Sequence, residues 1–170
     1  MSRSLPPLIA HIIAPPSGQA WHGGPTPIGA LRGVGAGLAH RRPRPGRHSI
    51  WELALHVAYW KYAVRRRLLR REDLPRFPRS PANWPAPPVR PDERRWDEDR
   101  AILADEHRAL AEVIEHFPPS LLAEPVATKR RWTYGEMIVG VLVHDAYHTG
   151  QIQLLKRLLG PRRPSPRRTG

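Results

Sequence analysis

His144 and His148 stand four residues apart in the run from Tyr134 to Leu159, YGEMIVGVLVHDAYHTGQIQLLKRLL. At 3.6 residues per turn, that spacing stacks two imidazoles about one turn apart on one helical face and aims them the same way. Met137, Val141, Ile152 (with Gln151 beside it), Leu155 and Leu159 continue the same heptad-like steps. The two histidines therefore replace apolar residues on a seam that faces a core. Burying two imidazoles without partners would cost about 2 kcal/mol or more, so the position needs an explanation. A pair of this kind is half of a metal site.

The third ligand must come from another helix, because bundles build metal sites from side chains on facing helices. His56 is the histidine that falls beside a second core pattern: Leu53, Val57, Trp60, Val64 and Leu68 recur at three- and four-residue steps around it. Three imidazoles suit zinc, nickel, iron or copper and leave coordination positions open for water or a substrate, the condition for a catalytic rather than a structural ion. The alternative is a set of core histidines hydrogen-bonded to side chains or water. Asp145 follows His144 directly and points about 100° away, so it serves better as a cap, a partner for a neighbouring arginine or a support for an imidazole than as a ligand. Glu52, one turn before His56, either closes a capping box or approaches the ion. Tyr59, Tyr147 and Gln151 are further pocket candidates, with core packing the expectation for both tyrosines. No Glu adjoins the first histidine, so the general base of a metalloprotease helix is missing and that class is disfavoured.

Four helical segments must hold these residues. Thr26 and Pro27 open the first, through Ile28, Leu31, Val34 and Leu38, weakened by Gly29, Gly33, Gly35 and Gly37. Ser49 and Glu52 form a capping box for the second, which runs to about Arg71. Asp92 caps the third, through Trp96, Leu103, Leu110 and Ile114, and Pro118 and Pro119 stop it. Thr133 and Glu136 form a capping box for the last. The Pro-rich connection from Leu74 to Pro91, carrying Trp84, is long for a compact domain and is either a lid or a crossover between non-neighbouring helix ends. With no convincing strand, the chain reads as an all-α, antiparallel-type four-helix bundle in one domain over residues 1–160. Residues 1–20 form an extended lead-in with an apolar patch of Leu8, Ile9, Ile12 and Ile13, and residues 161–170 a basic, disordered tail.

Composition narrows the classes further. No apolar run reaches membrane-spanning length, and the start MSRSLPPLIAHIIAPP is a poor signal peptide. The absence of cysteine excludes disulfides and thiolate ligands and fits a reducing cytoplasm. A net charge of +13 raises nucleic acid as a partner. However, the arginines cluster in connections, at a helix C-terminus and in the tail, where solvent and the helix dipole account for them, so nucleic acid is disfavoured.

The stretches WHGGP (Trp21 to Pro25), PGRHSIWELALHVAYW (Pro45 to Trp60) and HDAYHTGQIQLLKR (His144 to Arg157) together resemble the DinB-like superfamily of helical bundles. That resemblance covers about Trp21 to Leu159 and implies up-down-down-up connectivity. It also implies a divalent ion, zinc, nickel, iron or manganese, on His56, His144 and His148, and frequent homodimerisation. Relatives of this kind are described as metal-dependent hydrolases, or as thiol S-transferases and isomerases that use bacillithiol or mycothiol, in which the ion lowers the pKa of the thiol. The expectation is a metal-dependent thiol S-transferase or hydrolase acting on a small molecule, with water or thiolate on the ion as nucleophile. The alternative is a non-enzymatic stress or interaction protein with a structural ion and a basic surface.

Overall fold

The computed structural model describes residues 5–15, 23–71, 73–127 and 132–161. Six α-helices and no named strand occur among them: α1 (Leu5–Ile13), α2 (Pro27–Ala30), α3 (Ala36–His40), α4 (Ile50–Leu68), α5 (Glu93–Glu115) and α6 (Tyr134–Leu159), with a 3₁₀ turn at Pro119–Leu121. None of these helices is long and apolar enough to cross a membrane. Trp21 and His22 of the WHGGP stretch and residues 162–170 of the tail lie outside the described residues.

Helix α4 is the axis. It packs along α5 on one side and α6 on the other, so every residue from Ile50 to Ala58 is buried. Its partners fix its direction. Trp51 meets Trp96 and Asp99 near the start of α5, and Arg65 meets Glu106 further along, so α4 and α5 run parallel. His56 meets His148, Lys61 pairs with Asp145, and Arg70 bonds Tyr134, so α4 and α6 run antiparallel. Two consecutive parallel helices cannot be joined by a short turn. The chain must travel back the length of α4, which is why residues 74–91 are long and carry no helix.

Both expected capping boxes form. Ser49 Oγ accepts from Glu52 N at 3.2 Å while Glu52 Oε2 accepts from Ser49 N at 2.9 Å. Thr133 and Glu136 repeat the arrangement at the start of α6. Asp92 caps α5 through Arg95 N at 2.8 Å.

Two expectations are corrected. Where it is described, the lead-in is not extended: residues 5–13 are helical, with Pro6 and Pro7 in the first turn, where a missing N–H costs nothing. Its buried stripe is Ile9, Ala10 and Ile13, packed on the α5 side, while Leu8 and Ile12 face out. The first bundle helix is also not continuous. Thr26 and Pro27 start it as expected, with Gly29 N donating to Thr26 Oγ1 at 3.2 Å, but it stops at Ala30 and restarts at Ala36. Gly33 sits at φ +71°, a conformation that side chains disfavour. Other helices hold the break open. Lys156 of α6 donates to the carbonyls of Ala30 and Arg32 at 2.7 and 2.8 Å, and Trp96 Nε1 donates to Val34 O at 2.7 Å. Gly35 has no side chain to cap α3, and Glu93 Oε1 does so instead, accepting from Ala36 N at 2.9 Å. Foreign caps thus replace the missing helical turn.

Candidate metal centre

The antiparallel crossing of α4 and α6 brings His56, His144 and His148 together. One ring nitrogen from each lies within 4.8 Å of the other two. Nε2 of His56 and Nε2 of His144 are 3.1 Å apart, and the His148 ring centroid is 4.7 Å from that of His56 and 4.4 Å from that of His144. Two nitrogens bound to one tetrahedral ion at about 2.0–2.1 Å stand about 3.3 Å apart, so the spacing fits shared coordination.

The outer nitrogens decide whether those lone pairs are available. His56 Nδ1 lies 2.5 Å from the carbonyl oxygen of Asn83. A carbonyl only accepts, so Nδ1 carries the proton and Nε2 is left bare toward its neighbours. His148 Nδ1 lies 2.7 Å from Gln151 Oε1 and is fixed the same way, one turn on along α6. His144 Nδ1 is buried with no protein partner. Burial pushes His56 down to about 4 and His144 down to about 3, with repulsion between imidazolium charges adding to both, and it lowers His148 as well. At neutral pH the donor set is three uncharged imidazoles, the form that ligates metal.

The long connection is part of this centre. Asn83 takes φ +70°, a left-handed conformation that Asn tolerates better than most residues, and so aims its carbonyl at His56. Its side chain accepts from Trp60 Nε1 at 2.8 Å. Trp84 stacks flat on His56 at 3.7 Å and on His48 at 3.6 Å, filling the gap between the two rings. The segment is tied down along its course. Tyr62 donates to Pro75 O, Arg79 pairs with Asp99, which also accepts from Trp51, and His40 lies 2.9 Å from Pro88 O. It is a crossover that doubles as the wall of the site.

The remaining sequence candidates divide. Gln151 does support His148. Glu52 stays in its capping box and takes Arg42 at 2.6 Å, away from the three rings. Tyr59 packs edge-on against Trp60 and Phe77. Tyr147 is not a core residue: it is 63% exposed, with its ring 4.9 Å from His148 at the rim. Asp145 pairs with a cation as expected, but the partner is Lys61, fully buried on α4. Lys61 had a signal, since it falls on the Val57, Val64 and Leu68 stripe where an apolar residue belongs. His107 also corrects the view that His56 was the one further histidine in a core pattern. It lies on the Leu103, Leu110 and Ile114 stripe of α5, and burial, with the Lys61 charge, pushes it down to about 3. The roles of Asn83 and Trp84 had only a faint signal, a tryptophan among prolines with no periodicity to place it.

An all-helical fold that gathers three neutral imidazoles from two antiparallel helices defines a protein able to hold a divalent metal ion. The sequence model of the DinB superfamily matches residues 28–152, a span that includes all three histidines, and the chain belongs to that superfamily. Comparison with curated proteins and with solved structures returns no match.

The depressed histidines set a pH dependence. Below pH 6.5 the unfolded chain takes up protons that the folded site refuses, so this share of stability is complete above about 6.5 and is lost as pH falls toward 4. In chelator, the urea midpoint should drop across that window, and the drop should be shallower in His56→Gln. Parallel profiles for the two proteins would contradict it.

Proposed function

We propose that this protein is a metal-dependent enzyme that holds a divalent ion through His56, His144 and His148 and acts as a thiol S-transferase. The carrying observation is the donor set itself: three buried, neutral imidazoles with two of their outer nitrogens already committed to acceptors. Supporting it, the two connected long helices and the split first helix fit the up-down-down-up bundle of the family.

A bound divalent ion would supply Lewis acidity and lower the pKa of a group placed beside it. What the chain supplies favours a thiol. Neither carboxylate nearest the three histidines in sequence joins their group: Glu52 is held by Ser49 and Arg42, and Asp145 is paired with Lys61 through one oxygen, the other being buried. A thiol, ordinarily near 8.5, needs far less help to ionise than water, near 15.7. Trp60 and the exposed Tyr147 flank the rings and offer apolar surface to a substrate. A reducing cytoplasm, where small thiols stay reduced, is the compartment this activity requires. Metal-dependent hydrolysis is the second possibility, and it needs a base from elsewhere.

We also propose a homodimer through α6. Val139, Val143, Tyr147, Leu154 and Leu158 are each 47–64% exposed and share one face of that helix. A second copy would cover this face beside the metal centre.

Elemental analysis should find about one divalent ion per chain, and His144→Ala should lose it while keeping its helical circular dichroism. A folded His144→Ala protein with its full ion would refute the site. In cobalt-substituted protein, a low-molecular-weight thiol should add sulfur-to-metal charge-transfer absorption, and an unchanged spectrum would rule out thiol transfer. In sedimentation, the wild type should run as a dimer and Val143→Glu as a monomer. A monomeric wild type would dismiss the α6 interface.

A further inference from the structure

Several arginines of this chain are matched by acids. Arg42 pairs with Glu52, Arg65 with Glu106, Arg79 with Asp99, Arg94 with Glu98 and Arg108 with Asp105. The end of α4 instead gathers arginines around a cleft. Beyond Ala63, the helix and the residues that follow it line a cleft of about 540 Å³ with four arginines, Arg66, Arg67, Arg70 and Arg71. Arg71 pairs with Asp73 in an exposed contact, and among the described residues no carboxylate pairs with Arg67 or Arg70. Such an exposed pair contributes little and yields readily.

Arg67 and Arg70 are held in place without being neutralised. Arg67 donates one nitrogen to Ala63 O at 2.9 Å, leaving most of its five N–H donors uncommitted. Arg70 Nε donates to the Tyr134 hydroxyl at 3.2 Å, and its guanidinium lies 5.3 Å from the centre of the Tyr134 ring. Both side chains are exposed. The helix dipole favours cations here, which explains basic residues at a C-terminus but not a cleft. Nor does it explain the other wall, where Tyr59, Tyr62, Tyr134 and Val126 present aromatic and apolar surface.

We propose that this cleft is a second binding site, separate from the metal centre, for a small organic anion. A phosphate or carboxylate group lies against the forked donors of Arg67 and Arg70, and a flat apolar body lies on the tyrosines and Val126. Guanidinium groups bind both oxyanions bidentately, so the two share one recognition chemistry. About ten residues of helix separate Arg66 from His56, roughly 15 Å, which places the anion well outside the three rings. Tyr59 and Tyr62 nevertheless touch Phe77, a residue of the same connection that carries Trp84 onto His56. A ligand in the cleft therefore contacts residues packed on the wall of the metal centre.

The test uses the full-length protein, titrated at about 50 mM salt with 1-naphthyl phosphate, 1-naphthoate and neutral 1-naphthol, and read by calorimetry and by amide chemical shifts. At least one of the two anions should bind, with shifts clustered at 62–71, 126–127 and 134, and the naphthol should not. Which anion binds identifies the oxyanion. Arg67→Glu should weaken binding about tenfold or more, the loss expected when a charge-assisted contact becomes a repulsion. Arg67 is exposed and has one backbone contact, so the fold should survive. Arg70→Gln, which keeps a donor for Tyr134, should weaken binding less. Metal content should stay at the wild-type value in both variants, which separates this site from the metal centre. Failure of both anions to bind, equal binding by naphthol, or undiminished binding by Arg67→Glu would each overturn the proposal.

Discussion

Three imidazoles with nitrogens within 4.8 Å of one another, in a site closed off from most solvent, cannot all carry charge. Burial and mutual repulsion force them neutral, and neutrality leaves each ring with one donor and one bare lone pair. Much of the neighbouring structure answers that constraint. The Asn83 carbonyl and the Gln151 side chain take the outer protons of His56 and His148 and so turn the inner lone pairs toward a common point. A metal ion is the partner that satisfies three converging lone pairs at once, because a proton on any one of them would satisfy at most two.

The helices are arranged to hold that geometry still. Helix α4 is buried on nearly every side of its first half, so His56 cannot rotate away without dislodging Trp51, Leu55 and Val57, all fully buried. Lys61 and Asp145, the latter directly after His144, lock α4 to α6 in register. A buried ion pair contributes little net stability, but a slip of either helix would leave two uncompensated charges, which is far more costly. The price of running α4 and α5 parallel is a long return segment, and that segment is where the Asn83 carbonyl and the Trp84 ring come from. Topology and site are therefore one problem with one solution.

Periodicity and capping were readable because they depend on neighbours within one turn. Ser49 with Glu52, Asp92, and Thr133 with Glu136 each start a helix where their spacing says they should. The grouping of His56, His144 and His148 was readable for a related reason: a histidine on an apolar stripe is conspicuous. What failed depends on contacts distant in sequence. The break between α2 and α3 is held by Lys156, Glu93 and Trp96, none of which is near it in the chain. The helicity of residues 5–13 comes with packing on α5, and the roles of Asn83 and Trp84 exist only once residues 74–91 fold back along α4. An aromatic residue beside a core histidine reads as packing, yet the position of Tyr147 one residue before His148 turns it to the rim. Lys61 and His107 lie on the apolar stripes of α4 and α5, where a polar residue stands out in the sequence.

The proposed site joins His56, His144 and His148 on one ion and leaves coordination positions open. X-ray absorption at the metal edge of the reconstituted protein counts those ligands directly. The geometry predicts the outer-shell scattering of three imidazoles bound at about 2.0–2.1 Å, together with one or more light-atom ligands that exchange with added thiol. A spectrum with two imidazoles or fewer, or a closed shell that no added ligand enters, would contradict it.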